Sequence, residues 1–312
     1  MSKSILFDTV FYMCNSLCNY NCIFCRSHLR TLPDDDKGLN PELFERVISR
    51  AQVVNVSACT GETLLMPWFP EMVEILARHG KEFALTTNGS PLNTQNIELL
   101  RGSTLNMLSI SINSLDRDTY KTLTGGAKLS IVLDNVEHMF ASNPKYKVQF
   151  TFVVSALNMK ELKSFVDYGR DHKSHVIFYP LTPVISDYDS KLIVTDSQEN
   201  VARLKEAERY AVEQGVSLAS FTLKNDNGTL VNTLSEEYLA DKIKKCFVPF
   251  TKLYVNSSGQ VYQCDWTERG KCMGDLSLES VDELWNNDNF KELRQCVRNG
   301  NIRHCKLCRI WG

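Results

Sequence analysis

The 312-residue chain lacks long apolar runs and any strong excess of charge. No stretch of 18 apolar residues occurs and the amino terminus has no signal-peptide layout, so we expect neither a membrane span nor secretion. Its 35 basic and 37 acidic residues leave a net charge of −2, which argues against nucleic acid as a partner. With 43% hydrophobic residues, no internal repeat and no low-complexity segment, the chain is predicted to be globular, with one large domain or two modest ones.

Cysteine, by contrast, is plentiful, with 11 in the chain. Without a secretory signal, clustered cysteines bind metal more often than they form disulfides, and a reducing cytoplasm is the compartment that fits. Ten of the 11 fall into two groups: Cys14, Cys18, Cys22 and Cys25 near the start, and Cys246, Cys264, Cys272, Cys296, Cys305 and Cys308 near the end.

The three-cysteine loop (residues 18–25) is spaced Cys-x3-Cys-x2-Cys. Three thiolates can hold three corners of a [4Fe–4S] cubane, which leaves the fourth iron without a protein ligand and open to chemistry. The alternatives are buried thiols or a zinc site with His28 or Cys14 as the fourth ligand. The loop follows a predicted strand, and barrel-like α/β enzymes build their active sites at the carboxyl ends of strands.

Six apolar, strand-like runs alternate with amphipathic helical runs between residue 5 and about residue 215. This alternation predicts a parallel α/β sheet with right-handed crossovers. Because a closed eight-unit barrel needs about 250 residues, six units indicate an open, partial (βα)6 TIM-type barrel. The predicted strands are Asp8–Cys14, Val53–Cys59, Phe83–Thr87, Met107–Asn113, Lys147–Ser155 and His175–Leu181.

The spacing of Cys18, Cys22 and Cys25 resembles the cluster loop of radical S-adenosylmethionine (SAM) enzymes. The resemblance implies that SAM chelates the open iron and is cleaved by one electron to methionine and a 5′-deoxyadenosyl radical. It also implies a partial (βα)6 core, as the alternation predicts, and a low-potential electron donor of the flavodoxin or ferredoxin type.

The segment after the second predicted strand, Thr60-Gly61-Glu62, is similar to the Gly-Gly-Glu motif of that family, with threonine at the first position. The resemblance implies that the Glu62 carboxylate and the backbone of Thr60 and Gly61 face the ammonium group of SAM. The alternative is a strand-ending turn with a solvated glutamate.

Two further segments look like their family counterparts: Thr87-Asn88-Gly89 after the third strand, and the polar end of the fourth. The resemblance implies that Asn88, Ser111 and Asn113 bind SAM and that Phe24 lies near its adenine. An aspartate is frequent in the family where Asn113 stands. The alternatives are helix capping for the polar residues and a core role for Phe24.

The second cysteine group accompanies a predicted β-hairpin around residues 256–259 and two predicted helices. This pattern resembles the auxiliary-cluster region of SPASM and twitch domains, and because the chain stops at Gly312 we expect the one-cluster twitch form. A structural zinc site is the alternative, and Cys272 could replace one ligand. The ligands that the resemblance implies are Cys246, Cys264, Cys305 and Cys308.

The expected organisation is a radical SAM core (1–215), a connection (216–245) and a twitch/SPASM-like domain (246–312). We expect an enzyme whose radical abstracts a hydrogen atom from a small polar metabolite of the sugar, aminoglycoside or nucleotide-sugar type. Oxidation, epimerisation and dehydration are the possible outcomes. In an oxidation Asp265 would take the hydroxyl proton, with a solvated aspartate as the alternative.

Two other functions compete with this prediction. One is a SPASM-like maturase that modifies a peptide or a protein, and the other is a non-catalytic iron–sulfur or zinc protein. An entire (βα)6 core and the Glu62 segment would serve no purpose in the second, so we favour an enzyme.

Overall fold

The computed structural model describes residues 5–13, 17–25, 40–56, 61–181, 192, 194, 197–220, 243–264 and 272–301. Its strands are β1 (Phe7–Met13), β2 (Ala51–Val56), β3 (Phe83–Thr87), β4 (Leu105–Ser111), β5 (Lys147–Val154), β6 (His175–Pro180), β7 (Leu218–Ser220), β8 (Lys252–Asn256), β9 (Gln260–Tyr262) and β10 (Cys272–Asp275). Its α-helices are α1 (Pro41–Ile48), α2 (Phe69–Arg78), α3 (Thr94–Arg101), α4 (Arg117–Leu123), α5 (Leu129–Ala141), α6 (Leu162–Asp171), α7 (Gln198–Glu213), α8 (Val248–Thr251), α9 (Val281–Trp285) and α10 (Asp288–Arg298).

These strands form one sheet in the order β10-β9-β8-β1-β2-β3-β4-β5-β6-β7. From β1 to β7 each strand pairs in parallel with the next, and the connections carry helices. The predicted fold class, an unclosed TIM-type barrel with a small β-hairpin and helix extension, is confirmed. The third predicted strand matches β3 residue for residue, and the others differ by one or two residues at the ends that lie within the described ranges, which exclude the predicted ends Cys14 and Cys59.

Two pairings in the sheet go beyond the prediction. The short strand β7 lies within Val216–Phe221, which the sequence favours as a strand at the start of the expected connection, and it pairs in parallel with β6. The predicted C-terminal hairpin is present as β8 and β9, and β8 also pairs in parallel with β1. The hairpin is therefore continuous with the core sheet, a long-range pairing that hydrophobic periodicity cannot reveal.

Alternation along the strands gives the sheet two different faces. On β4, Leu108 and Ile110 are buried in the main hydrophobic core, whereas Ser109 and Ser111 point the other way. On β5 the same alternation places Phe150 and Phe152 on the core face and Gln149 and Thr151 on the opposite face. The face opposite the core residues therefore carries hydroxyl and amide groups next to the carboxyl edge.

The C-terminal segment packs on the first βα unit through side chains. The ring of Phe7 lies 5.4 Å from that of Trp285, and the rings of Phe11 and Tyr254 stack at 4.5 Å. The Arg46 guanidinium donates to the Leu276 carbonyl at 2.7 Å. None of the helices in the described ranges has the length and apolar character needed to cross a membrane.

Candidate functional site

The three-cysteine loop follows β1 at the carboxyl edge of the parallel strands, where the sequence analysis expects it. Its backbone is docked on the end of α4: the amide of Ile23 donates to the Leu123 carbonyl at 3.0 Å, and that of Asn21 to the Thr124 carbonyl at 3.2 Å. Carbonyls at a helix C-terminus have no partner within the helix, so the loop satisfies them.

A glycine makes this close approach possible. Gly125 has φ +68°, and a Cβ atom on it would lie 2.2 Å from the Asn21 carbonyl oxygen. On the same side, the hydroxyl of buried Tyr120 donates to the Tyr20 hydroxyl at 3.3 Å, and the two rings meet edge to face. Residues 120–125 therefore form a closely fitting seat for the loop.

The thiols of Cys18, Cys22 and Cys25 are all partly buried. Burial, together with the charges of Cys25 and Cys18, raises the pKa of Cys22 to about 12. Burial likewise raises the pKa of Cys18. Three thiolates are thus unfavourable together unless a positive group joins them, and this donor set fits an iron–sulfur cluster.

The arrangement of the three cysteines is compatible with a cluster, whereas Cys14 and His28, the alternative fourth ligands of a zinc site, lie outside the described residues. Within the described ranges, no group of three or more histidine, cysteine, aspartate or glutamate side chains is arranged to hold one metal ion. In a cubane each cysteine binds a different iron, so its ligands need not converge on one point.

Glu62 lies at the neighbouring strand end and is 1% exposed. Its carboxylate accepts from the Thr87 hydroxyl at 2.8 Å and from two backbone amides, that of Asn88 at 2.6 Å and that of Leu64 at 3.3 Å. Burial raises the pKa of Glu62 and the three hydrogen bonds lower it. Burial has the larger effect, so the pKa is raised to about 7. The carboxylate thus ties the segment after β2 to the end of β3.

The backbone amide of Glu62 also donates to the Leu17 carbonyl at 2.7 Å, so the loop, β2 and β3 meet at one point. Gly61 is described beside it, whereas Thr60 lies outside the described residues. The binding of SAM by this segment remains a prediction.

Asn88 lies against the three-cysteine loop. Its Nδ2 atom is 3.9 Å from Cys18 Sγ and donates to Asn19 Oδ1 at 3.0 Å. Phe24 is partly buried in the turn between Cys22 and Cys25. Both predicted residues are therefore next to the cysteines.

Ser111 and Asn113 lie further along the same edge. The Ser111 hydroxyl is 2.9 Å from that of Thr151, and Asn113 Oδ1 accepts from the Val153 amide at 3.0 Å. Asn158 Nδ2 donates to the Asn113 carbonyl at 2.8 Å. Asn113 therefore joins the ends of β4 and β5, and a contact with SAM from either residue remains a prediction.

Sequence reasoning missed a second buried carboxylate, that of Glu161. It accepts from the Ser114 hydroxyl at 2.8 Å and from the amides of Leu115 and Asp116 at 2.7 and 3.1 Å. It holds the turn that leads from β4 to α4, and so to the seat of the loop. A charged residue in a polar stretch gives no signal of burial, which is why the pattern did not reveal it.

In the second cysteine group, Cys246 precedes α8 and Cys264 follows β9, and both are partly buried. Cys272 is exposed on β10, where its thiol donates to the Gly274 carbonyl at 3.2 Å. The predicted ligands Cys305 and Cys308 and the predicted base Asp265 lie outside the described residues.

Comparison with protein families agrees with both cysteine regions. The model of the Radical SAM superfamily matches residues 14–169, half of the chain. The SPASM model, described as an iron-sulfur cluster-binding domain, matches residues 246–309.

Curated relatives include a GTP 3',8-cyclase of Marinobacter nauticus, 28% identical over 188 residues, which are 58% of this chain and 57% of the relative. A probable GTP 3',8-cyclase of Pyrococcus abyssi is 31% identical over 140 residues, 44% of each chain. The chain thus spans about half the length of these relatives.

Among solved structures, Streptococcus suis SuiB is similar with a TM-score of 0.70 at 15% identity, over 96% of this chain and 72% of SuiB. Peptide-bound anSMEcpe gives a TM-score of 0.66 at 14% identity, over 98% and 87% of the two chains. At such identities the likeness concerns the fold alone.

Proposed function

Since the chain belongs to the Radical SAM superfamily, and is therefore an enzyme that uses a [4Fe–4S] cluster and SAM, we propose that it abstracts a hydrogen atom from a small polar metabolite. The metabolite class is a sugar, aminoglycoside or nucleotide sugar. The observation that carries the proposal is the three-cysteine loop, seated on α4 at the carboxyl edge of an open parallel sheet.

In this proposal Cys18, Cys22 and Cys25 hold the SAM-binding cluster. When bound, that cluster supplies the electron that splits SAM into methionine and the 5′-deoxyadenosyl radical. Glu62 and Gly61 orient the amino acid part of SAM from the end of β2. A low-potential flavodoxin or ferredoxin is the proposed electron donor.

The polar face of the sheet supports a polar substrate. Ser109 and Ser111 on β4 and Gln149 and Thr151 on β5 carry hydrogen-bonding groups toward the same side. Hydroxyl and amide groups of this kind bind sugars and nucleotides by direct hydrogen bonds. Relatives named as GTP 3',8-cyclases, whose name specifies a nucleotide, are consistent with a small polar metabolite.

The SPASM match brings auxiliary iron–sulfur binding to the C-terminal region. We assign its ligands as Cys246, Cys264, Cys305 and Cys308, in a domain that begins near residue 246. In an oxidation this region would accept the second electron while Asp265 takes the hydroxyl proton.

Peptide modification is the second candidate. It is supported by the likeness to SuiB, a structure of which is bound to the precursor peptide SuiA, and to anSMEcpe, solved with the Cp18Cys peptide. Substrate labelling separates the two candidates, because a deuterium abstracted from the true substrate is recovered in 5′-deoxyadenosine.

The first test is an anaerobic reconstitution of the whole chain, with iron, sulfide and dithionite-driven formation of 5′-deoxyadenosine measured together. We expect about eight irons per chain, four for each cubane, and steady formation of 5′-deoxyadenosine. The Cys22→Ala variant should lose this reaction, whereas the control Cys296→Ala, on α10, should keep it. A cluster-loaded wild-type chain that leaves SAM intact would contradict the proposal.

A further inference from the structure

Three side chains form a closed ring of hydrogen bonds between the three-cysteine loop and the turn after β3. Asn88 Nδ2 donates to Asn19 Oδ1 at 3.0 Å, and Asn19 Nδ2 donates to Ser90 Oγ at 2.8 Å. The Ser90 hydroxyl completes the ring by donating to Asn88 Oδ1 at 2.6 Å. In such a ring each group both donates and accepts, which strengthens the bonds and fixes their directions.

The orientation of the Asn88 amide follows from its neighbours. The Ser90 backbone N–H, which can only donate, lies 2.9 Å from Asn88 Oδ1, so the oxygen faces Ser90. The nitrogen must then face the loop, where its second hydrogen is directed at Cys18 Sγ, 3.9 Å away.

This arrangement uses every bonding position of the Asn88 side chain. Its two hydrogens go to Asn19 and Cys18, and its oxygen accepts twice from Ser90. A direct bond to SAM would require one of these bonds to be exchanged, so the side chain acts more naturally on the loop itself.

Among the described residues, Cys18 therefore receives two donors, the Asn88 side chain and the Tyr20 backbone amide, whose nitrogen is 3.4 Å from Sγ. A hydrogen bond to a ligating sulfur withdraws negative charge from it and stabilises the reduced, more negative form of an iron–sulfur cluster. Only the Asn88 bond can be removed by a side-chain substitution.

We propose that Asn88 is a positioning residue that raises the reduction potential of the SAM-binding cluster through its hydrogen bond to the Cys18 sulfur. This inference rests on the proposed function, which makes Cys18 a cluster ligand. The ring with Asn19 and Ser90 keeps the Asn88 amide pointed at that sulfur.

The test is a redox titration of the reconstituted chain. It is monitored by electron paramagnetic resonance, through the signal that changes when SAM is added. Asn88→Ala should lower the midpoint potential of that signal at unchanged iron content. Asn88→Asp, which keeps the shape but cannot donate, should lower it at least as far, and it preserves the test if the alanine variant does not fold.

Asn135→Ala is the matched control. Asn135 Nδ2 holds the same turn from α5, through the carbonyls of Gly89 and Ser90 at 3.0 and 2.9 Å, without being bonded to Cys18. This variant should loosen the turn and leave the potential at the wild-type value.

Two results would overturn the inference while the proposed function stands: an unchanged potential in both Asn88 variants, or an equal fall in Asn135→Ala. A wild-type chain with no SAM-sensitive signal would instead defeat the proposed function, and this inference with it.

Discussion

The two cysteine regions both adjoin β1, but their attachments to the core differ. The three-cysteine loop continues from the end of β1 and is held largely by single backbone hydrogen bonds, to α4 and to the segment after β2. The C-terminal region is held by the pairing of β8 with β1 along five residues, and ring contacts and arginine side chains add to that pairing. We therefore expect the loop to be sensitive to small changes of backbone geometry, and the C-terminal region to tolerate the loss of single side-chain contacts.

The largest effect should come from Gly125→Ala, which sharpens the comparison at the backbone. The added Cβ would lie 2.2 Å from the Asn21 carbonyl oxygen, so the loop must move off its seat on α4. We expect loss of the SAM-binding cluster and of 5′-deoxyadenosine formation, measured as iron content and by product analysis.

Gly126→Ala is the matched control for this prediction. Both glycines have positive φ, +68° and +110°, so alanine adds backbone strain of about 1–3 kcal/mol at either position. A Cβ on Gly126 meets nothing within 4 Å, so the Gly126→Ala variant should keep the SAM-binding cluster. Equal loss of iron in the two variants would mean that strain, and not displacement of the loop, is responsible.

The double variant Cys246→Ala/Cys264→Ala should have the next largest effect. We expect its iron content to fall to about four per chain, one cubane, with SAM cleavage retained. In an oxidation, turnover of the substrate identified by labelling should fall because the second electron has no acceptor. Loss of SAM cleavage as well would show that the two regions act as one unit and would break the comparison.

The same contrast explains what could be predicted from the sequence. Strand alternation and the Cys-x3-Cys-x2-Cys spacing are local patterns, so the sheet from β1 to β6 and the place of the loop at its carboxyl edge were predictable. The pairing of β8 with β1 joins residues about 240 positions apart, and no local pattern encodes such a contact.

The site was predictable only as far as residue types reveal it. The resemblance brought Glu62 and Asn88 forward, and both lie beside the loop. Their hydrogen bonds, and the burial of Glu161, depend on which strand ends become neighbours. Composition and spacing do not specify which strand ends are neighbours, so the contacts of Glu62, Asn88 and Glu161 could be described only from the structure.

A smaller effect is expected from Thr87→Val, which tests how much one buried side-chain hydroxyl stabilises the strand ends beside the three-cysteine loop. The buried Thr87 hydroxyl donates to Glu62 and accepts from the Gly89 amide at 3.1 Å. Valine has the same shape but no hydroxyl, which leaves that amide without its partner. We expect a loss of about 1–3 kcal/mol in the free energy of unfolding, measured by chemical denaturation.

The control for this substitution is Thr122→Val, where the hydroxyl is exposed and donates to the Asp118 carbonyl within α4. Water replaces that bond, so stability should change little. If the two variants were equally stable, the Thr87 bond would contribute nothing that solvent cannot supply.

The smallest effect should come from Asp282→Asn in the C-terminal region. Arg50, whose side chain is 7% exposed, forms an ion pair with Asp282, which is 57% exposed. Because the carboxylate is well solvated, the pair is worth less than a fully buried one. We expect a loss of about 1 kcal/mol in the free energy of unfolding, measured by thermal unfolding.

The control Glu206→Gln breaks the exposed pair with Lys163 and should leave stability unchanged. Iron content should be normal in both variants, since a single side-chain contact is removed in each. A loss of auxiliary iron in Asp282→Asn alone would mean that this pair orients the cysteines as well as fastening the region to the sheet.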